Sequence, residues 1–424
     1  RSYSVTGVQT CALPISYGII AALPILMLLF GCKSSTTPQV SKLTGRVILQ
    51  NDTSDSSKDP LDYSGVMIAL YSPAVLDTTI VRLNQIHPYI GIQISQETDF
   101  DHRLQAPIAT TLSQADGTFS FTDIAIGTYN IVYLKDGWDL KYKYNVSVSQ
   151  SDMALPDTVS LYPVRVLPSF VSVPYTFEAD RSYRVLESTT FTQAVTINPD
   201  AKIYFDPVAS IKFYDTVTTP HIPNKYWRMN SSYNMYESTK TTMDVEKYFD
   251  NVSLYGSQGI VANGLIKHLR EGIAFINNNG HLQNIDIQFF KSGFTFNNVG
   301  GVVEHCSLRS GIQKGIQGLS TSHSLTVSNC LVYKNYDGII AYTAGGFAVE
   351  DSYLIRNEYA IRPQFCSGTI SNDNFHNNTF DIYQTNAETS INLNNFYFSS
   401  YTCITPSYDT LLRSNNFYKV GSYF

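Results

Sequence analysis

From residue 261 onward, the chain carries an apolar residue at intervals of 21 to 24 residues. A second apolar column follows these anchors by five places. Repeats of this length are typical of stacked architectures. The repeats are rich in β-branched, aromatic and Asn residues and poor in helix formers, which favours strands over helices. The anchors are Val261, Leu282, Val303, Val327, Val349, Ile370, Ile391 and Leu412, and the second column is Ile266, Ile287, Leu308, Val332, Leu354, Phe375, Phe396 and Phe417.

A third recurring feature is a small or turn-forming residue followed by an apolar one, about eleven places after most anchors. Three short strands per repeat are therefore predicted, with the apolar columns facing inward. Since one coil cannot bury its inner face alone, each coil should stack on the next at about 4.8 Å, like residue over like. The pairs are Gly272-Ile273, Gly293-Phe294, Gly315-Ile316, Gly338-Ile339, Ala360-Ile361 and Asp381-Ile382.

Polar residues recur two and three places after the anchors, where the chain must turn between strands. Asn and Asp tolerate left-handed backbone and bond to local amides, and stacked side chains can form a ladder. The residues two places on are Asn284, His305, Asn329, Asp351 and Asn372, and those three places on are Cys306, Cys330, Ser352, Asp373, Asn394 and Asn415.

With segments such as 327–335, followed by Asp337-Gly-Ile, the pattern resembles right-handed parallel β-helix proteins of the pectin-lyase-like superfamily. We assign residues 175–424 to such a β-helix. The resemblance identifies the fold but gives little information about function.

Residues 41–165 are predicted to form a separate small β-sandwich, so the fold class is all-β. Alternating strands are expected at 45–49, 65–71, 115–124 and 127–133, with a tight turn at Asp116-Gly117. The order of these segments resembles the transthyretin-like, carboxypeptidase-regulatory-like domain. That resemblance implies a spacer or docking module without catalytic residues. Residues 72–108 form an insertion that the domain pattern does not need.

The N-terminal 40 residues read as processing segments. Residues 1–16 contain a stretch that looks like a translated sequencing-adapter oligonucleotide, and we exclude them from fold reasoning. Residues 17–31 resemble the remnant of a lipoprotein signal peptide, whose apolar run is too short to span a bilayer. By resemblance to the bacterial lipobox, Cys32 is the lipidated residue and residues 32–40 form a tether. The alternatives are an uncleaved anchor and a free Cys after an ordinary signal.

Composition narrows the classes of function. The net charge of −6 gives no support for nucleic-acid binding, and no Cys-x-x-Cys or His-rich cluster suggests a metal. No cofactor is expected, and we expect a monomer. Cys306 and Cys330 occupy equivalent places on consecutive coils. Stacked neighbours point their Cβ atoms side by side, which favours buried thiols over a disulfide.

Candidate catalytic residues are sparse. The motifs associated with polygalacturonase-like hydrolases (Asn-Thr-Asp, Asp-Asp, Gly-His-Gly and Arg-Ile-Lys) do not occur in the chain. Glu304 and Glu350 fall at matching turns two coils apart, which places their carboxyl groups about 9 to 10 Å apart. Inverting glycosidases use pairs near this separation. Turn acids are usually solvated surface groups, so we predict no catalytic residue.

The outward face of the strands after the Gly-apolar steps is the better candidate for a binding surface. Alternation directs Tyr342, Arg362, Gln364 and Tyr383 outward on three successive coils. Sugar rings stack on aromatic faces, and hydroxyls pair with Arg and Gln. The segment 216–247 breaks the repeat and is predicted to be a long loop, a second place to look for binding.

These features predict a lipid-anchored envelope protein, placed in the outer membrane of a Gram-negative bacterium, that binds an extended ligand. A glycan is the expected ligand. The alternatives are a polysaccharide lyase or glycoside hydrolase with a non-standard site, and a structural or adhesin protein that binds another protein.

Overall fold

The computed structural model describes residues 40–52, 59–149, 152–236, 244–256, 260–277, 279–320, 323–343, 346–404 and 415–418, and of residues 320, 343 and 402–404 it describes the backbone. Cys32 and the other predictions for residues 1–39 lie outside this range, as does Leu412. Among the described residues, no helix is long and apolar enough to cross a membrane.

The N-terminal domain consists of two small sheets that face each other. One sheet has the order β4-β1-β7 and the other β3-β2-β5-β6. Alternation along β4 buries Phe119 and Phe121, which pack with Val47 and Ile131. Gly117 has a φ of 85° in the predicted turn. The strands are β1 (Val40–Leu49), β2 (Met67–Tyr71), β3 (Ala109–Leu112), β4 (Thr118–Ala125), β5 (Gly127–Leu134), β6 (Lys141–Val148) and β7 (Met153–Leu161).

The insertion 72–108 folds into α1 (Thr78–Ile86), α2 (Gln96–Asp99) and a 3-10 turn (His102–Leu104). Asp77 begins α1 by accepting a hydrogen bond from the Thr79 amide at 2.9 Å. The apolar face of α1, with Ile80 and Leu83, packs against Leu331, Tyr333 and Ile355 of the repeats. The insertion therefore covers one side of the repeats.

The rest of the chain is a right-handed parallel β-solenoid of about 11 turns. It begins about ten residues earlier than predicted, because residues 165–166 and 170–171 already pair with the next coil. The strands of the first coils are β8 (Arg165–Val166), β9 (Phe170–Val171), β10 (Tyr175–Phe177), β11 (Ser182–Val185), β12 (Ser188–Phe191), β13 (Val195–Ile197), β14 (Lys202–Phe205), β15 (Ser210–Phe213), β16 (Val217–Thr218), β17 (Trp227–Ser231) and β18 (Phe249–Leu254).

The segment 216–247 is not one continuous loop. Strand β17 lies within it and pairs with β14 and β19, and a 3-10 turn (Val245–Lys247) follows. Trp227 is buried and donates its indole N–H to the Ala262 carbonyl at 2.7 Å. Gly264 lies over it in the next coil, where a Cβ would come within 2.3 Å of the indole ring. This pairing of a large residue with a glycine departs from the pattern of like residues in register. For that reason the repeat pattern did not predict β17.

The later coils form the regular stack that the repeat predicts. Each described anchor pairs in parallel with the next, and so does each residue of the second column. Every described anchor is at most 6% exposed. The strands are β19 (Ile260–Ile276), β20 (Gly280–Asn297), β21 (Gly301–Glu304), β22 (Ser307–Ser320), β23 (Leu325–Ser328), β24 (Leu331–Tyr333), β25 (Asp337–Thr343), β26 (Phe347–Glu350), β27 (Tyr353–Ile355), β28 (Tyr359–Gln364), β29 (Ser367–Ser371), β30 (Asn374–His376), β31 (Phe380–Tyr383), β32 (Glu388–Asn392), β33 (Asn395–Tyr397), β34 (Tyr401–Ile404) and β35 (Asn416–Tyr418).

Each later coil therefore has three sides. The first side carries the anchors, and the second side carries the second apolar column. The third side carries β25, β28, β31 and β34 with the matching parts of β19, β20 and β22. The insertion covers the second side as far as Ile355.

Candidate functional site

The predicted binding surface lies on the third side, and the structure brings its residues onto neighbouring strands. Tyr342 pairs with Gln364, and Ile340 pairs with Arg362, so the residues form two adjacent columns. Tyr383 lies on the next strand, β31. Parallel stacking thus places the predicted residues on one continuous face of three coils.

Arg362 has partners within the chain. Its Nη1 donates to both carboxylate oxygens of Asp337, at 2.7 and 2.9 Å. Its guanidinium centre lies 4.8 Å from the Tyr359 ring centroid and 6.0 Å from that of Tyr383. Burial raises the pKa of Asp337, and the Arg362 guanidinium opposes that rise. The positive charge of Arg362 is therefore largely offset by Asp337 before any ligand arrives.

A column of stacked rings extends from Arg362 along the third side. Tyr359 and Phe380 stack at 4.8 Å, as do Phe380 and Tyr401. Arg362 lies against the Tyr359 ring at the end of this column. Because stacked rings cover each other's faces, the column presents mainly ring edges to solvent. Sequence reasoning did not single out this column, although Tyr359, Phe380 and Tyr401 recur every 21 residues.

The exposed aromatic surface lies beside that column. Tyr342 is 48% exposed and contacts Phe365, itself 54% exposed, in an edge-to-face pair at 5.6 Å. Tyr383 is half-buried and lies edge-to-face with Tyr359 at 5.5 Å. Tyr336, 51% exposed, adds a further ring. These residues, which we call the aromatic face, are Tyr336, Tyr342, Gln364, Phe365 and Tyr383.

The acidic pair Glu304 and Glu350 lies elsewhere, at the end of the first side. Both residues are in register with Ser328, which separates them by one coil. Glu304 Oε1 lies 2.6 Å from His281 Nε2, whereas Glu350 is exposed. The two carboxyl groups therefore have different surroundings and sit on a corner of the solenoid rather than in a cleft.

The cysteines of the repeats whose side chains the structure describes are separate thiols. Cys306, Cys330 and Cys366 are buried and form no disulfide, and the absence of a Cys306–Cys330 bridge accords with the side-by-side geometry of stacked neighbours. Cys330 donates its S–H to backbone carbonyls, among them that of Val303 at 3.5 Å. Burial raises the pKa of Cys306 well above its usual value. Within the described part of the chain, no group of three or more His, Cys, Asp or Glu side chains is placed to hold a metal ion.

The interface between the insertion and the second side holds a buried charge network that sequence reasoning missed. Arg309 donates to Asp99 of α2 at 2.7 Å and to Asp286 of the solenoid at 2.6 Å. Arg103 forms an ion pair with Asp101 at 2.7 Å and donates to the Ser231 carbonyl at 3.0 Å. A signal was present, because the outward positions of Tyr333 and Ile355 are apolar and imply a cover.

Comparison of the chain with protein-family models, with curated proteins and with solved structures finds no significant match.

Proposed function

We propose that this protein is a lipid-anchored protein of the bacterial cell envelope that binds an extended glycan along the aromatic face of its solenoid. The β-solenoid supports the resemblance to the pectin-lyase-like superfamily, and we place the chain there. From the resemblance of its strand order, we likewise assign the sandwich to the carboxypeptidase-regulatory-like domains. We propose that it acts as a spacer between the lipid anchor and the solenoid.

The proposal rests on exposed rings at both ends of the third side: Tyr336 lies just before β25, and Tyr342 and Phe365 lie at the far ends of β25 and β28. Tyr336, Tyr342 and Phe365 are each about half exposed, and Gln364 lies beside Tyr342. A ligand that runs along the solenoid axis meets one coil about every 4.8 Å, so a polymer with repeated rings suits this face. Tyr rings offer apolar surface to sugar rings, and the phenol and amide groups offer hydrogen bonds to hydroxyls.

The ion pair between Arg362 and Asp337 bears on the class of glycan. An unpaired guanidinium would favour acidic polysaccharides by pairing with their carboxylates. In this protein, Asp337 already accepts a hydrogen bond from the Arg362 guanidinium at 2.7 Å. We therefore expect neutral polysaccharides to bind at least as well as acidic ones, with apolar stacking and hydroxyl contacts as the main contributions.

Affinity electrophoresis through gels that contain neutral or acidic polysaccharides tests the proposal. At least one polysaccharide should retard the protein. Tyr342→Ala and Tyr383→Ala should each weaken binding by roughly 1 to 3 kcal/mol, the scale of burying an aromatic side chain. Tyr214→Ala is the matched control, because Tyr214 is 49% exposed and stacks on Tyr255 elsewhere on the solenoid. Equal retardation of all four proteins would remove the aromatic face as the site.

The same gels separate a binding protein from the alternatives. A binding protein releases no reducing ends and no unsaturated products over long incubation. Products that disappear in Glu304→Gln or Glu350→Gln would make the protein an enzyme instead. Absence of retardation by every polysaccharide would favour an adhesin that binds another protein.

Anchoring is tested by metabolic labelling with a clickable fatty acid. A gene that encodes the segment around Cys32 with a functional signal peptide should give a labelled protein, because the lipobox Cys accepts the acyl chains. Cys32→Ala should abolish the label, whereas Cys366→Ala should keep it, since Cys366 is a buried thiol of the solenoid. Label that survives Cys32→Ala would exclude Cys32 as the lipidation site.

A further inference from the structure

A cavity of about 60 Å³ lies between the insertion, the sandwich and the second side of the solenoid. Since one water needs roughly 10 to 15 Å³ by this measure, the cavity has room for about four. Its walls include Arg103 from the insertion, Tyr142 from the sandwich, and Tyr204, Arg228 and Lys267 from the solenoid. All three parts of the folded chain thus contribute to one partly open site.

Lys267 is the unusual member of this wall. It follows the inward-facing Ile266 and points outward beneath the insertion, where it is 8% exposed. Among the described residues, none forms a hydrogen bond or ion pair with its ammonium group. A buried ammonium has three N–H donors to satisfy, and leaving them without acceptors is costly. An acceptor inside the cavity would therefore stabilise the ammonium group.

The charges of the wall indicate the sign of the missing partner. Arg103 is paired with Asp101 at 2.7 Å, and Arg228 is paired with Glu97. His102 adds no charge near neutral pH, because burial lowers its pKa to about 4. Lys267 is therefore the cation of the wall without a described carboxylate in direct contact, and Asp99, Asp101 and Asp286 act on it only at longer range.

A second donor lies in the same wall. Tyr204 is 7% exposed, and no described residue accepts a hydrogen bond from its hydroxyl. Phe100, Leu140 and Met229 add apolar surface to the wall. Two unpaired donors, one of them charged, in a small cavity fit an anion with few heavy atoms.

We infer that this cavity binds a small oxyanion, held by the Lys267 ammonium and the Tyr204 hydroxyl. The shared chemistry is that of a carboxylate or a phosphate oxygen, from an organic acid or from inorganic phosphate. The site is separate from the aromatic face, so anion binding can be tested independently of glycan binding.

Calorimetric titration of the full chain with sodium acetate and with sodium phosphate, at constant ionic strength set by sodium chloride, tests the inference. Saturable binding of at least one anion is expected, and the two titrations distinguish the carboxylate from the phosphate. Lys267→Met should abolish it. Lys291→Met, which removes an amine paired with Glu271 on the solenoid exterior, should leave it unchanged.

Tyr204→Phe provides a variant that removes a single hydroxyl and keeps the ring. It should weaken binding about tenfold, the effect of losing one hydrogen bond to a charged group. If Lys267→Met does not fold, Tyr204→Phe decides the question alone. Absence of saturable binding of both anions to the wild-type protein, or an unchanged Kd in the variant that folds, would overturn the inference.

Discussion

At the scale of single residues, the corner between the first and second strands of each coil has the most specific chemistry. There a side chain accepts a hydrogen bond from the backbone amide of the preceding coil. Ser352 accepts from Cys330 at 3.1 Å, Asp373 from Ser352 at 2.8 Å, and Asn394 from Asp373 at 2.8 Å. The ladder satisfies amides that no strand pairing reaches, so each corner residue is needed by the coil before it.

Asp373 is the anomalous member of this ladder. Its carboxyl group is fully buried, and its Oδ2 has no hydrogen-bond partner among the described residues. At the equivalent places, Asn394 donates from Nδ2 to the Ile370 carbonyl and Asn415 to the Ile391 carbonyl, both at 2.9 Å. Burial raises the pKa of Asp373 well above its usual value. A proton on Oδ2 would supply the donor that the Asn side chains provide.

We predict that Asp373→Asn stabilises the protein at pH 7 by about 1 to 3 kcal/mol, the cost of one unsatisfied buried group. Because the folded-state pKa is raised, the contribution of Asp373 to stability is present below the unfolded pKa of about 3.9. It is lost as pH rises toward the folded-state pKa. Urea unfolding at several pH values should therefore show an advantage of the variant that grows above about pH 4.

Asp351→Asn is the control for this prediction. Asp351 is exposed at the same corner, and replacing it should change stability little at any pH. An Asp373→Asn variant that is less stable than the wild type at pH 7 would mean that the ladder requires an ionised carboxylate.

Sequence reasoning located one corner of each coil and missed the other. Asn284, Asn329 and Asp351 have the left-handed φ predicted for them, between 52° and 53°. A second left-handed residue lies seven places after each anchor, for example Arg356 at 55° and Phe398 at 57°. Such residues rarely adopt this conformation, so their identity carries no signal. Each of these residues is followed directly by a member of the amide ladder of Asn335, Asn357 and Asn378 in the coils that hold it.

At the scale of elements, the insertion 72–108 is a docking element rather than a loop of the sandwich. Its helix α1 packs on Leu331 and Tyr333, and its Gly91 amide donates to the Asn329 carbonyl at 2.9 Å. Buried ion pairs fix the other end, where α2 meets Arg309. The solenoid and the sandwich are thereby joined through the second side.

Arg309→Met should destabilise the protein by about 3 to 5 kcal/mol, because it leaves Asp99 and Asp286 buried without their common partner. Urea unfolding measures the loss, and limited proteolysis should cleave the insertion first. Arg270→Met provides the comparison, because Arg270 pairs with Asp250 on a partly exposed surface. That pair should contribute at most about 1 kcal/mol. A loss no larger than that of the comparison would show that the network does not hold the insertion.

This docking could not be predicted from the insertion itself. The sequence identified 72–108 as surplus to the sandwich, but its partners lie some 200 residues further along the chain. Contacts that join a non-repeating segment to a repeat leave no periodicity. By contrast, the inward columns such as Ile339 over Ile361 follow directly from the repeat, because like residues stack in register.

At the scale of the whole molecule, the three sides of the solenoid differ in what covers their outer faces. The inward faces form one continuous apolar core from Leu167 to Phe396. The second side is covered by the insertion as far as Ile355, and the third side carries the aromatic face on its exterior. The repeat spacing predicted that Tyr342 and Gln364 would be neighbours. It could not predict the ion pair between Arg362 and Asp337, because that pair depends on the conformations of the two side chains.

Hydroxyl-radical footprinting with a polysaccharide that retards the protein tests directly whether the glycan binds the aromatic face. Saturating polysaccharide should protect Tyr336, Tyr342 and Phe365 from oxidation, since these exposed rings line the aromatic face. Tyr214, which is equally exposed on another part of the solenoid, should be oxidised at an unchanged rate. Protection of Tyr214 while Tyr342 and Phe365 remain fully reactive would exclude the aromatic face and place the glycan elsewhere on the molecule.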